Sequence, residues 1–278
     1  MAVKHDGLVM RDRRSAATVF VMRIGLFLSL ILLILLPDSA VAQDNYEIQV
    51  YGSETMAPGI TMFELHSNFT DRGERSILNG LAPTNHAVHE TLEITHGFNE
   101  WFEVGFYTFT SIEPGESISY VGNHIRPRFR VPPSWHWPVG VSISQEIGFQ
   151  HRRFSEETWS WEIRPIIDHQ AGKLYWSINP TLGVPLAGDS TLDKGVQIQP
   201  NVAITYDVSP VVNLGVEYYG ELGTFSHIEP ARRQVHAVYP VVNLNFSKDW
   251  EVNAGVGFGL TPATDPLVFK LILGYRAH

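Results

Sequence analysis

The chain of 278 residues has no cysteine. A disulfide framework and thiolate metal sites are therefore excluded. Helical periodicity is scarce after residue 42, and Gly and Pro are dispersed throughout. Beyond the N-terminus no apolar run approaches the roughly 20 residues of a membrane-spanning helix. H-E-x-x-H, G-x-S-x-G and P-loop patterns are missing. Basic charge is also short. Taking away the 5 Lys/Arg and 3 Asp/Glu before residue 43 leaves 15 against 26, a net charge of −11. So acidic a chain argues against nucleic acid as a partner, because phosphate binding needs a basic surface.

What is present begins with an export signal. Lys4, Arg11, Arg13, Arg14 and Arg23 precede the apolar run Ile24 to Leu36, and Ala40 and Ala42 follow at A-x-A spacing. A run of 13 with a small-residue exit reads as a cleaved signal peptide over 1–42. If the remainder enters a membrane, it must do so as a closed β-barrel, since no helix is available to cross.

Period-2 alternation runs down the rest of the chain, clearest in "QIQPNVAITYD" (197–207). Ile198, Pro200, Val202, Ile204 and Tyr206 fall on one face, and Gln197, Gln199, Asn201, Thr205 and Asp207 on the other. This is a strand signal. Twelve strands are predicted at about 60–71, 86–96, 100–112, 117–131, 138–150, 158–169, 173–184, 196–207, 211–221, 234–246, 250–260 and 266–276, with a short strand at 46–51 ahead of them. Many fit a tilted bilayer crossing of about 9–11 residues. The even-numbered connections are mostly short and the odd ones mostly longer, the asymmetry of periplasmic turns and extracellular loops. Aromatics gather at the strand ends: Phe98, Trp101, Trp135, Trp137, Tyr206, Phe246 and Trp250 near the turns, and Phe149, Phe154, Trp159, Trp161 and Tyr218 near the loops. Such girdles mark the two headgroup levels.

The fold class expected is all-β: a transmembrane, antiparallel, up-and-down barrel of about 12 strands, spanning 60–278. Residues 43–59 would be a short periplasmic N-terminal segment, and the location the bacterial outer membrane. In such a barrel the polar face looks inward. Alternation then sends Glu64, Glu93, Glu103, Arg126, Arg128, Arg130, Glu146, Glu162, Arg164, Asp168 and Glu217 to the lumen, as candidate pore-lining residues. Phe106, Ile125, Phe129, Ile143, Ile147 and Ile167 face lipid. The strand "GNHIRPRFRV" puts three arginines on one face, opposite a Glu-bearing neighbour, so cross-strand ion pairs are expected. They either fill the lumen or leave a cationic path.

Other chemistry finds little support. The 12 histidines, among them His66, His86, His89, His96, His124 and His136, form no compact metal spacing, so neither metal nor cofactor is expected. His66 and Ser67 adjoin, but neighbouring strand residues point to opposite faces. Glycines at period 2 in "GVGFGL" (255–260) suit close packing rather than phosphate binding. Pro127, Pro165, Pro180, Pro200 and Pro240 suggest bulges or bends.

"INPTL", "IQPNV" and "LGVEYYGELG" resemble segments of bacterial porin-like outer-membrane barrels, the phenol meta-degradation-associated group among them. The resemblance implies passage of small polar or aromatic solutes, with outer-membrane lipid and the barrel assembly machinery as partners. Such barrels often end in an aromatic read by that machinery; here Tyr275 lies three residues from the end. Two other functions stay open: a lipid hydrolase acting on lipid A or phospholipid, and a plugged structural barrel with functional loops.

Overall fold

The computed structural model describes residues 45–189 and 195–278. The signal-peptide reading of 1–42 lies outside them. Twelve strands form the wall: β1 (Thr61–Arg72), β2 (Val88–Asn99), β3 (Phe102–Ile112), β4 (Ser119–Arg130), β5 (Gly140–Gln150), β6 (Glu157–Ala171), β7 (Leu174–Gly188), β8 (Gln197–Asp207), β9 (Val212–Glu221), β10 (Val235–Leu244), β11 (Trp250–Gly259) and β12 (Leu267–Ala277). Each pairs antiparallel with the next, and β1 pairs with β12, so the sheet closes without an edge. Closure leaves no strand edge unpaired inside hydrocarbon, where an unpaired backbone group would cost several kcal/mol.

All twelve predicted strands are present, with ends displaced by a few residues. Connections at one end are 100–101, 131–139, 172–173, 208–211 and 245–249, and those at the other are mostly longer and include 73–87 and 222–234. At 172–173 the chain reverses on Gly172, whose φ of 63° suits a residue without Cβ. The loop 222–234 carries a two-residue ladder, Gly223–Thr224 with His227–Ile228, that extends the sheet from β8.

Burial is inverted relative to a water-soluble core. On β1, Phe63, Leu65 and Phe69 are exposed while Glu64, His66 and Asn68 are buried. The same period-2 inversion runs through β2 to β5. An apolar exterior of this height, around a polar interior, fits lipid rather than water. Phe98, Trp101, Trp135, Trp137, Tyr206, Phe246 and Trp250 are all exposed at the turn end, forming one girdle. Phe154 departs from the other: it packs inward against Tyr46, Tyr107, Phe109 and Val121.

The strand prolines do not sit at bulges. Bulges occur near strand ends, between Thr70 and Arg72, Gly97 and Asn99, Phe109 and Thr110, and over Glu157–Ser160. Rungs are missing beside Pro127, Pro165 and Pro240, yet the register on either side is unchanged. A proline removes a donor without inserting a residue, so the ladder opens but does not slip.

The largest departure from expectation is the N-terminal segment. Residues 45–56 form neither a strand nor a periplasmic tail; they run down the lumen. Asn45, at the loop end, donates to Thr70 Oγ1 (3.2 Å) and Asp265 Oδ2 (2.7 Å). Burial holds Asp265 above its ordinary pKa, against the hydrogen bonds from Asn45 and Thr84. At the other end Met56 N donates to Glu103 Oε2 (2.5 Å), and Gly59 N to Gly97 O (2.8 Å). The eleven steps from Asn45 to Met56, at about 3.3 Å each, span up to about 36 Å, enough to cross the hydrocarbon thickness of about 30 Å. Wall side chains satisfy this backbone. Thr91 donates to Tyr46 O (2.8 Å), Lys270 to Ile48 O (3.0 Å), Ser177 to Tyr51 O (2.6 Å), and Arg128 to Gly52 O and Glu54 O (3.0 and 2.7 Å). No sheet edge was free to pair with it, so side chains take the place of a ladder.

Candidate functional site: a charged lumen around Tyr51

Alternation and register build the site. Glu103 on β3 stands directly opposite Arg128 on β4, and Gly105 opposite Arg126. The absence of a Cβ at Gly105 makes room: one built there would lie 3.2 Å from Arg126 Nη2 and 2.9 Å from Thr95 Oγ1. Arg126, 1% exposed, donates to Glu93 Oε1 (2.5 Å), Glu103 Oε1 (3.2 Å), Thr95 Oγ1 (3.2 Å) and the Tyr107 hydroxyl. Arg128 reaches Glu103 Oε1 at 2.7 Å. Each terminal guanidinium nitrogen of this pair therefore meets a carboxylate, hydroxyl or carbonyl, as burial of charge favours, while Arg128 Nε is left without a partner.

Farther round the wall Arg164 pairs with Glu162 (2.5 Å), and Glu146 with His124 Nδ1 (2.5 Å). Asp168 accepts from Ser53 N (2.8 Å), Ser53 Oγ (2.6 Å) and the Tyr175 hydroxyl (2.8 Å). Glu217 binds Lys270 and accepts from the Tyr219 hydroxyl (2.6 Å). The remaining two predicted residues differ. Glu64 is buried with no hydrogen bond or ion pair among the described residues, and Arg130 is half-buried at the turn end with its guanidinium likewise unengaged.

At the centre sits Tyr51. The guanidinium carbons of Arg164, Arg126 and Arg128 lie 4.7, 4.9 and 5.7 Å from its ring centroid. Its hydroxyl is 3.3 Å from that of Tyr107. An aromatic face against three cations is favourable, about 0.5–2 kcal/mol for each contact. Alternation within the wall could not reveal Tyr51, because it belongs to the segment inside the wall. Lys270 was not among the expected lining residues. Alternation in "LVFKLILGYRA" puts Leu267, Phe269, Leu271, Leu273 and Tyr275 on one face and Lys270 on the other, where it is buried beside the apolar Val268 and Ile272.

The segment divides the lumen. A cavity of about 180 Å³ lies toward the loops, bordered by Tyr46, Glu47, Glu146, Arg164, Gln197 and Gln199. A vestibule of about 1060 Å³ lies toward the turns; eight carboxylates and four arginines border it. Gln49 borders both. The His66–Ser67 pair is split as strand geometry demands: His66 is buried inside, and Ser67 Oγ donates to Glu90 on the outer face (2.6 Å).

The family described as "Putative MetA-pathway of phenol degradation" matches residues 132–268. No curated protein matches the chain. Among solved structures, an outer membrane channel from Pseudomonas putida F1 is similar, with 12% identity, 83% of this chain and 100% of that chain covered, and a TM-score of 0.55. The KdgM porin is similar at 12% identity, covering 78% and 99%, with a TM-score of 0.51. These likenesses agree on the fold, and the apolar band and girdles agree on the solvent. The chain has the fold of an outer-membrane β-barrel, and residues 132–268, just under half of it, match that phenol-degradation family.

Proposed function

We propose that the barrel is a porin-like channel for small polar or aromatic solutes, with residues 45–56 as a fixed constriction. The observation that carries this reading is the 1060 Å³ polar vestibule at the turn end, separated from a smaller cavity at the loop end by a segment whose Gln49 borders both. A lumen meant only as a filled core would bury its charges without leaving such space. Because Arg126 and Arg128 are neutralised by Glu93 and Glu103, the excess of carboxylates sets the field, and cations are preferred over anions. Outer-membrane lipid covers the apolar band.

Planar-bilayer conductance of the chain extracted from outer membranes tests the reading. Steady conductance with a reversal potential favouring K⁺ over Cl⁻ supports it. A silent bilayer across voltages and salts overturns it and favours the second reading, a structural barrel plugged by 45–56. That reading draws on the many hydrogen bonds that hold the segment in place.

A further inference from the structure

We infer that Glu64, His66 and Glu93 form a binding site for one divalent transition ion, of the Zn²⁺ or Ni²⁺ type, on the inner wall of β1 and β2. One ligand atom from each residue lies within 4.8 Å of the others, and all three residues are buried. Glu64 and Glu93 face each other directly across the β1–β2 ladder, and His66 is two residues along β1 on the same face. Two carboxylates opposed in register repel unless a cation lies between them.

Two further observations point to a ligand. His66 is fully buried, yet neither ring nitrogen has a hydrogen-bond partner. Its nearest charged neighbour is Glu93 Oε2, 3.5 Å from Nε2, and that oxygen is also without a hydrogen bond. Buried imidazoles and carboxylate oxygens left so are uncommon, because each unmet group carries its full desolvation cost. The other oxygen of Glu93 is fully engaged, by Arg126 Nη2 (2.5 Å) and Thr95 Oγ1 (2.6 Å). Metal-bound carboxylates are commonly held in this way, by donors on the oxygen turned from the ion.

The donor set decides the class of ion. One imidazole and two carboxylates suit Zn²⁺, Ni²⁺, Co²⁺ or Mn²⁺; the nitrogen disfavours Ca²⁺ and Mg²⁺, which prefer oxygen throughout. Ligand atoms about 2.0–2.2 Å from one ion lie about 3–4 Å apart, so closure takes about an ångström of side-chain movement. Glu64 and Glu93 border the vestibule, which gives the ion an entry path and leaves its remaining coordination positions open to water or solute. Nothing in the linear spacing announces the site, since Glu93 comes from the neighbouring strand.

The test is independent of conduction. The chain extracted from outer membranes in detergent and stripped with EDTA is titrated with Zn²⁺ alone by calorimetry, and with Co²⁺ alone by visible absorption. One equivalent should bind, and Co²⁺ should give d–d bands of a low-coordinate N,O site. Glu64→Gln and His66→Gln should each weaken Zn²⁺ binding at least tenfold, with heat-modifiable gel migration retained as evidence of folding. Absence of Zn²⁺ binding and of Co²⁺ bands in the unsubstituted chain overturns the proposal. So does Zn²⁺ binding unchanged in both folded variants, which would place the ion at surface histidines. If a variant does not fold, the Co²⁺ spectrum of the unsubstituted chain still decides.

Discussion

The two halves of the wall hold the same segment by different means. Strands β1–β6 face the lumen with Glu64, Glu93, Glu103, Arg126, Arg128, Glu146, Arg164 and Asp168, and grip residues 51–56 through charge-assisted bonds. Strands β7–β12 present Ser177, Asn179, Thr181, Thr205, Asn213 and Asn253, with one buried ion pair, Lys270–Glu217, and one half-buried pair at the turn end, Arg276–Glu251. They also supply an apolar nest in which Ile48 packs among Tyr219, Ala237, Tyr239, Val241 and Val268. Tyr239 fits there because Gly257 lacks a side chain; a Cβ would come within 2.2 Å of its ring. Charge networks are costly to break and set the field, whereas the neutral half offers a surface along which a solute meets amides and hydroxyls. The difference assigns rigidity and electrostatics to the first half and a tolerant lining to the second.

The strongest way to break this contrast is at Arg126. Arg126→Leu leaves Glu93 and part of Glu103 as uncompensated buried charges. A loss of about 3–5 kcal/mol is expected, because removing one partner of a buried pair exposes the other to its full desolvation penalty. Urea unfolding from lipid vesicles measures it. A loss below about 1 kcal/mol would show that water already reaches these carboxylates.

The outer face supplies the second comparison, between lumen and lipid on one strand. Ile125 lies between Arg126 and His124 in sequence but points outward, where it is exposed opposite Ile147. Ile125→Lys should cost about 2–4 kcal/mol in the same unfolding assay, the toll of a basic side chain near the bilayer midplane. Unchanged stability would mean that the exterior of β4 does not face hydrocarbon.

The wall was legible because its two solvents differ so strongly. Lipid outside and charge inside force alternation, and alternation placed all twelve strands and put Glu103 and Arg128 on the inner faces of neighbouring strands; that they stand directly opposite is set by the register, which alternation does not contain. The segment 45–56 was not legible for the converse reason. It alternates, Tyr46 and Ile48 against Glu47 and Gln49, and so reads as a strand. Its surroundings are wall side chains on every side, and its backbone partners are Thr91, Ser177, Asn179, Arg128 and Lys270, dispersed along the chain. A pairing that runs from backbone to scattered side chains has no period. The prolines misled similarly. A missing donor predicts a broken ladder, but whether the ladder slips depends on the neighbour strand, which a single strand's sequence does not contain.

In the less charged half, removal of the whole buried pair Glu217–Lys270 sharpens the contrast with Arg126. Replacing both Glu217→Gln and Lys270→Met should change stability by about 1 kcal/mol or less. An intact buried pair is often no more stabilising than its neutral counterpart, and the lost bond from Lys270 to Ile48 O is worth about 1 kcal/mol. A loss as large as that of Arg126→Leu would erase the proposed division between a structural charged half and a tolerant neutral one.

Arg130 tests the field with the smallest energetic disturbance. It borders the vestibule, half-buried, and its guanidinium holds no partner among the described residues. Arg130→Glu should therefore leave stability within about 0.5 kcal/mol, as for surface substitutions without a network. It should still move the reversal potential in a KCl gradient toward that of K⁺, because a cation gives way to a further carboxylate beside the path. Its reach is bounded by screening: at 0.15 M salt the Debye length is about 8 Å and at 1 M about 3 Å, so the shift should be clear in dilute KCl and shrink in concentrated KCl. The neutralised Arg128, two residues away on the same face, serves as the control. Arg128→Gln should alter stability more than selectivity, since its charge is already spent on Glu103 at 2.7 Å. The opposite ranking would mean that the charged half conducts through its ion pairs instead of being held together by them.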